Sequence, residues 1–159
     1  MMPDRHIAIA VVVATDGRYL FQRRDDIPGI AYPGKLSLFG GHREADETYL
    51  ACIARELQEE ISYPVAPERF ELLTSLDGCG EVVDGDVVHG NVFLVRGIPA
   101  DQVVVTEGSL AIVDAGELIS SLARLESDLT PASWFGLKAF LRRYGEAEDR
   151  PEAGHLPGL

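Results

Sequence analysis

Apolar and polar positions along the chain alternate between the two periods of regular structure. Residues 6–14, HIAIAVVVA, form an unbroken β-branched and apolar run, as expected of a strand buried on both faces. The Asp16-Gly17 turn and residues 18–24, RYLFQRR, follow, which predicts a two-stranded hairpin. Pro28, Gly29, Pro33 and Gly34 make residues 25–35 a loop, and residues 36–39 predict a short strand leading to Gly40-Gly41. From Leu50 to Ile61 the period lengthens to that of a helix. Leu50, Ile53, Ala54, Leu57 and Ile61 make an apolar stripe at i, i+3, i+4 spacing, with Asp46 a candidate N-cap and Glu47 expected in the first turn. Strands are predicted again at 69–76, 87–95, 103–106 and 110–113, a short helix at 117–125, and a last helix at 131–144 with Pro131 in its first turn. On that helix Trp134, Phe135, Leu137, Phe140 and Leu141 read as core packing. The pattern predicts an α/β fold in which a mixed β-sheet is packed between helices.

Composition narrows the picture. With 159 residues, 46% of them hydrophobic, the chain fills one core and falls short of two. Residues 1–145 therefore read as a single domain. Residues 146–159 are polar and rich in Pro and Gly, as in a loose tail. No apolar run approaches a membrane span, and the first residues carry no charged-then-apolar leader, so the expectation is a soluble, cytoplasmic protein without a membrane partner. Cys52 and Cys79 lack metal-ligand spacing and read as reduced structural thiols. Fourteen basic residues against 26 acidic ones leave a net charge of −12, which argues against a nucleic-acid polymer as partner. A small phosphorylated ligand stays compatible, because divalent cations can bridge two sets of negative charge.

The informative chemistry lies on this helix. At about 100° per residue, Glu56, Glu59 and Glu60 share one face, centred roughly 120° from the apolar stripe, which should turn the acidic edge away from the core. Like charges at this spacing repel, and acids near a helix C-terminus oppose its dipole. A hard cation such as Mg²⁺, which takes carboxylate oxygens, waters and substrate phosphates, would compensate.

The order of residues around these glutamates is specific. Gly41, five residues, Glu47, seven residues, Arg55-Glu56-Leu57, one residue, Glu59-Glu60 resembles the Nudix hydrolase box, G-x5-E-x7-R-E-U-x-E-E-x-G-U, at all its fixed positions from Gly41 to Glu60. Ser62 stands in place of the box glycine and Tyr63 in place of its aliphatic residue. A glycine at a helix exit supplies a left-handed backbone, which Ser62 can enter only with strain.

The resemblance implies a Nudix-like α/β/α sandwich carrying the box as a loop-helix-loop. It implies hydrolysis of a phosphoanhydride bond in a nucleoside diphosphate derivative or nucleoside triphosphate, with Mg²⁺ or Mn²⁺ as cofactor. It further implies Glu56, Glu59 and Glu60 as metal ligands, joined by the Gly41 carbonyl and Glu47, with Arg55 orienting the carboxylates. Glu60 and Glu107, the latter in a Thr106-Glu107-Gly108 turn, are candidates for the general base, whose identity the sequence leaves open. Arg23 and Arg24 end a strand beside the Pro/Gly loop, and on an alternating strand one of the two would face a substrate phosphate. Phe39, Tyr32 and Phe21 are aromatic residues of the kind that stack on bases, but aromatic residues flanking strands ordinarily pack the core, and the sequence singles out none of the three. A catalytically weak nucleotide-sensing or protein-binding module is the alternative, and a homodimer is left open. The substrate is not encoded in the box.

Overall fold

In a computed structural model, residues 4–78 and 87–145 are described. The expected loose tail, 146–159, and most of the turn-rich stretch between the strands at 69–76 and 87–95 lie outside them. Strand β1 (Asp4–Ala14) is the axis of the fold. Strand β2 (Tyr19–Arg23) returns antiparallel to it with Val12 opposite Leu20, forming the expected hairpin. Strands β3 (Leu36–Ser37), β4 (Phe39–His42), β5 (Glu71–Asp77), β6 (Val87–Ile98) and β7 (Ser109–Val113) complete a seven-stranded sheet. Its main path runs β3-β2-β1-β6-β5, with β4 paired to β1 and β7 to β2. The β1–β6 pair is parallel and the other pairs are antiparallel, so the sheet is mixed.

Side chains alternate across a strand, and β1 divides its apolar run between two cores. Ile7, Ile9, Val11 and Val13 face one layer with Leu137 and Phe140 of helix α4 (Pro131–Phe140). Ala8, Ala10, Val12 and Ala14 face the other with Cys52, Ile53, Leu57 and Ile61 of helix α1 (Tyr49–Ile61). The run is continuous because both faces are covered. Helices α2 (Ala115–Ser120) and α3 (Leu122–Asp128) join the α4 layer through Leu118 and Leu125. The result is the expected α/β/α sandwich around a mixed sheet.

Several local expectations are corrected. The strand expected at 36–39 is two strands, broken at Leu38, whose N–H is taken by Ser133 Oγ at 2.8 Å from α4. Gly40 and Gly41 consequently lie inside β4 instead of after it. Residues 103–106 make no strand: Val103 and Val105 pack on the α1 layer, while the Val104 N–H is spent on the Ile61 carbonyl at the end of α1. The expected 117–125 helix divides at Ser121 into α2 and α3. The last helix passes into a π-helical turn at Leu141–Gly145. Trp134 and Phe135 pack against the core only in part. On α1, Leu50 is exposed and Ala54 only half-buried; Cys52 enters the core, widening the buried stripe toward the sheet. Cys52 is a free, buried thiol, and burial pushes its pKa up to about 11. No helix among the described residues is long and apolar enough to cross a membrane.

Candidate active site

Helix α1 starts two residues later than an Asp46 N-cap implies. Its N-cap is Thr48, whose Oγ1 accepts the Ala51 N–H at 3.0 Å, and not Asp46. Asp46 instead takes a left-handed backbone, φ 70°, in the turn that feeds the helix. Glu47 therefore precedes the helix, its N–H bonded to the Glu44 carbonyl at 3.1 Å, and is not part of the first turn. At the other end Ser62 enters the left-handed region the box assigns to glycine, φ 56° and ψ 35°, and donates its N–H to Gln58. The helix exit thus keeps the glycine geometry at a steric cost.

Strand β4 and helix α1 bring the acidic edge onto the Gly40-Gly41 backbone. A Cβ added at Gly41 would stand 2.6 Å from the Glu56 carboxylate carbon, so this glycine is the space into which Glu56 fits. Glu60 Oε1 accepts the Gly40 N–H at 2.8 Å. Contrary to the expectation that the acidic edge faces away from the core, Glu60 is half-buried against β4. Burial pushes its pKa up to about 8, with Glu56 and Glu107 adding to the rise and the Gly40 N–H and Arg24 opposing it. Glu59 is the exposed member, 60% accessible.

Arg55 sits at the centre of the acidic group. It donates to both oxygens of Glu47 at 2.5 and 2.9 Å, to Glu56 at 2.9 Å, to Glu59 at 3.4 Å and to the His42 carbonyl at 3.2 Å. These bonds drive the Glu47 pKa down to about 2 and raise that of Arg55 itself. Among the described residues no three His, Cys, Asp or Glu side chains converge closely enough to hold a metal ion, and Arg55 occupies oxygens of Glu47, Glu56 and Glu59. The Gly41 carbonyl faces the Cys52 thiol at 3.7 Å, a weak contact.

The arginines at the end of β2 separate. Arg23 is committed to Asp128 on α3, at 3.0 Å to each oxygen, and to the Gly34 carbonyl, and it lines a cavity on the far side of β2 with Glu117 and Arg124. Arg24 is the one near the box. It lines two adjoining clefts of about 290 and 330 Å³, and its charge reaches Glu60. The smaller cleft also holds Glu107, whose carbonyl is fixed by Gln22 Nε2 at 2.9 Å. Gln22 is 6% exposed and escaped the sequence reading, since nothing in RYLFQRR marks it as a brace for a loop 85 residues away. Among the stacking candidates Phe21 and Phe39 are fully buried, while Tyr32 opens onto the larger cleft. His42 lies at the same cleft and accepts from Arg5 Nε at 3.3 Å. Burial, then the charge of Arg5, lowers its pKa.

Known structures repeat this architecture. A MutT protein from Methanosarcina mazei Go1 superimposes with a TM-score of 0.65 at 20% identity, over 94% of this chain and 98% of that one. The Escherichia coli ORF135 protein gives 0.61 at 22% identity, over 94% and 95%. A bifunctional NMN adenylyltransferase/ADP ribose pyrophosphatase from Francisella tularensis, solved with AMP and a manganese ion, gives 0.64 at 18% identity over 90% of this chain. The chain spans 42% of that protein and 44% of a MutT/nudix family protein from Enterococcus faecalis, less than half of each. No curated protein sequence matches. A family model described as the NUDIX domain matches residues 4–152, nearly the whole chain, and the chain belongs to the Nudix family.

Proposed function

We propose that this protein is a Mg²⁺-dependent Nudix pyrophosphohydrolase that cleaves a phosphoanhydride bond in a nucleoside diphosphate derivative or a nucleoside triphosphate. The carrying observation is the fit of Glu56 against Gly41 and of Glu60 onto the Gly40 N–H, which folds the acidic face of α1 onto the box loop. Glu56, Glu59, Glu60 and the Gly41 carbonyl, with Glu47, offer the all-oxygen donor set that suits Mg²⁺, or Mn²⁺ in its place. A bound divalent cation supplies neutralisation of phosphate charge and a more acidic water. Arg55 sets the orientation of the carboxylates, and Arg24 is placed to bind a phosphate through its guanidinium. Glu60, half-buried with a raised pKa, and Glu107, in the smaller cleft with Arg24, are the two candidates to take the proton of the attacking water.

The Francisella tularensis relative, solved with AMP and a manganese ion, supports the nucleotide and metal parts of this reading. One observation favours the alternative of a nucleotide-sensing module with little turnover: Arg55 occupies oxygens of Glu47, Glu56 and Glu59 at once. A phosphatase-coupled screen of nucleotides, nucleotide sugars and dinucleoside polyphosphates, with Mg²⁺ or Mn²⁺ and beside Glu59→Gln and Glu60→Gln variants, decides. The hydrolase reading expects metal-dependent turnover that falls at least about a hundredfold in the variants. Turnover unchanged in both would overturn the metal assignment, and binding without turnover on any compound would favour the sensor.

A further inference from the structure

Gln22 is a buried polar residue on a strand that is otherwise apolar up to its last position. Side chains alternate along β2: Tyr19 and Phe21 enter the α4 layer and Arg23 turns to Asp128, whereas Leu20 enters the α1 layer, and Gln22 and Arg24 follow on that face. Gln22 is 6% exposed, and a buried amide costs stability unless it is hydrogen-bonded. Thr130 and Ser133, the other buried polar residues among those described, bond to each other, and Ser133 also takes the Leu38 N–H, so both serve the fold. The bond of Gln22 goes elsewhere, from Nε2 to the Glu107 carbonyl at 2.9 Å. A carbonyl only accepts, so this contact fixes which end of the amide faces the loop.

Glu107 belongs to the stretch that leads into β7, and the backbone of that stretch is held at both ends. The Val104 N–H bonds to the Ile61 carbonyl at 2.9 Å, which ties it to the end of α1. At the other end the β2–β7 ladder stops at Arg23 opposite Ser109, one residue short of Gly108. Gly108 crosses Arg23 so closely that an added Cβ would stand 2.3 Å from its carbonyl oxygen, at φ 70°. Between these two points the Gln22 amide is a side-chain tie, and it reaches the residue that lines the smaller cleft beside Arg24. The charge of Glu107 bears on Glu60 of the box. Glu107 is exposed while its carbonyl is fixed. A proton acceptor for an attacking water needs both properties, since it must be open to the cleft and held to a fraction of an ångström.

We propose that Gln22 is a positioning residue for hydrolysis: its amide sets the backbone of Glu107, and its effect on turnover passes through the Glu107 carboxylate. The inference rests on the pyrophosphohydrolase reading above and deepens it, by giving one of the two candidate proton acceptors a dedicated support. Loss of the amide leaves the loop anchored at Val104 and Gly108 but lets Glu107 shift between them. A misplacement of about 1 Å costs a catalytic group about a hundredfold in rate, and here it would leave the carboxylates of the box where they are.

The test uses the full chain with Gln22→Met, Gln22→Asn and Glu107→Gln, and with each Gln22 variant combined with Glu107→Gln. Methionine keeps the length and packing of Gln22 without its donor, and asparagine keeps the amide one methylene too far back. Folding is checked by circular dichroism, and either variant that folds suffices; failure of both to fold would overturn the inference, because a tie for one loop is not a requirement of the fold. Measured are kcat and KM on the fastest substrate of the screen above, and Mn²⁺ affinity by titration. Expected is a kcat about tenfold to a hundredfold lower in both Gln22 variants, with KM and Mn²⁺ affinity within about threefold of wild type. In the Glu107→Gln background the same substitutions should change kcat by less than about twofold, since residues that act as a unit are not additive. Wild-type kcat in the Gln22 variants, full activity of Glu107→Gln, equal losses in both backgrounds or a fall in Mn²⁺ affinity would each overturn the inference and leave hydrolysis standing. No metal-dependent turnover of any compound by the wild type would overturn both readings.

Discussion

Arg55 holds the Glu47 carboxylate through two hydrogen bonds, Nε to Oε2 at 2.5 Å and Nη2 to Oε1 at 2.9 Å, across the start of α1. Both side chains are largely shielded, 24% and 16% exposed, so the pair is screened less than a surface ion pair. Replacing Arg55 by Ala leaves Glu47, Glu56 and Glu59 repelling one another without a cation. The expected outcome is a lower denaturant midpoint of unfolding and a large fall in turnover. Arg55→Lys keeps the charge but not the fork and should recover only part of both. Full recovery by lysine would show that charge alone matters.

The two box glycines should respond differently to the same methyl group. A Cβ at Gly40 would lie 2.1 Å from the Ala8 carbonyl oxygen, a backbone atom of the paired strand, and φ there is 143°. Gly40→Ala should therefore cost about 3 kcal/mol or more of stability. At Gly41 the obstacle is the Glu56 carboxylate, the far end of a side chain that can turn away. Gly41→Ala should stay folded and lose metal affinity, read by Mn²⁺ titration beside thermal unfolding. Equal destabilisation by the two would contradict the assignment.

Ser62→Gly should stabilise the protein. Its left-handed backbone, φ 56°, costs an L-residue about 1–2 kcal/mol, and the entropy of glycine in the unfolded chain returns about 0.4–1 of that. The expected net gain is about 0.5–1 kcal/mol, a rise of about 1–4 °C in Tm. A fall in Tm would mean that the serine side chain contributes more than its strain costs.

Alkaline pH should loosen the junction between β5 and the chain end after α4. The Tyr144 hydroxyl bonds to Glu71 Oε2, and this bond first, then burial and the Glu71 charge, raises the tyrosine pKa. A group whose folded pKa is raised contributes stability that is complete below its unfolded pKa, about 10, and is lost as pH rises through the folded value. Wild type should therefore lose its advantage over Tyr144→Phe above about pH 10. Ultraviolet difference titration of tyrosinate, wild type minus Tyr144→Phe, should show one late-titrating group; a group titrating at the ordinary value would refute the coupling.

The linear pattern made some of this architecture legible and left the rest hidden. The apolar run of β1 announced burial on both faces, and the i, i+3, i+4 stripe announced α1, because both periods are local properties of the backbone. The strand expected at 103–106 had an equally good local pattern and failed, since a strand exists only where a neighbour offers a ladder, and the Val104 N–H is used by the end of α1. The break of the 36–39 strand was likewise decided by Ser133, almost a hundred residues away in sequence.

By itself the order of residues determined the family motif, the oxygen-rich chemistry of the acidic edge and the sandwich of sheet and helices, all of which depend on fixed spacing along one element or on composition. Tertiary structure alone decided that Arg23 turns to Asp128 while Arg24 faces the box, and that Glu60 is half-buried against Gly40 while Glu59 is exposed. Neighbours on one strand or helix share a sequence pattern. Their exposure, partners and pKa depend on which distant backbone packs against them, and that is set by the closure of the sheet.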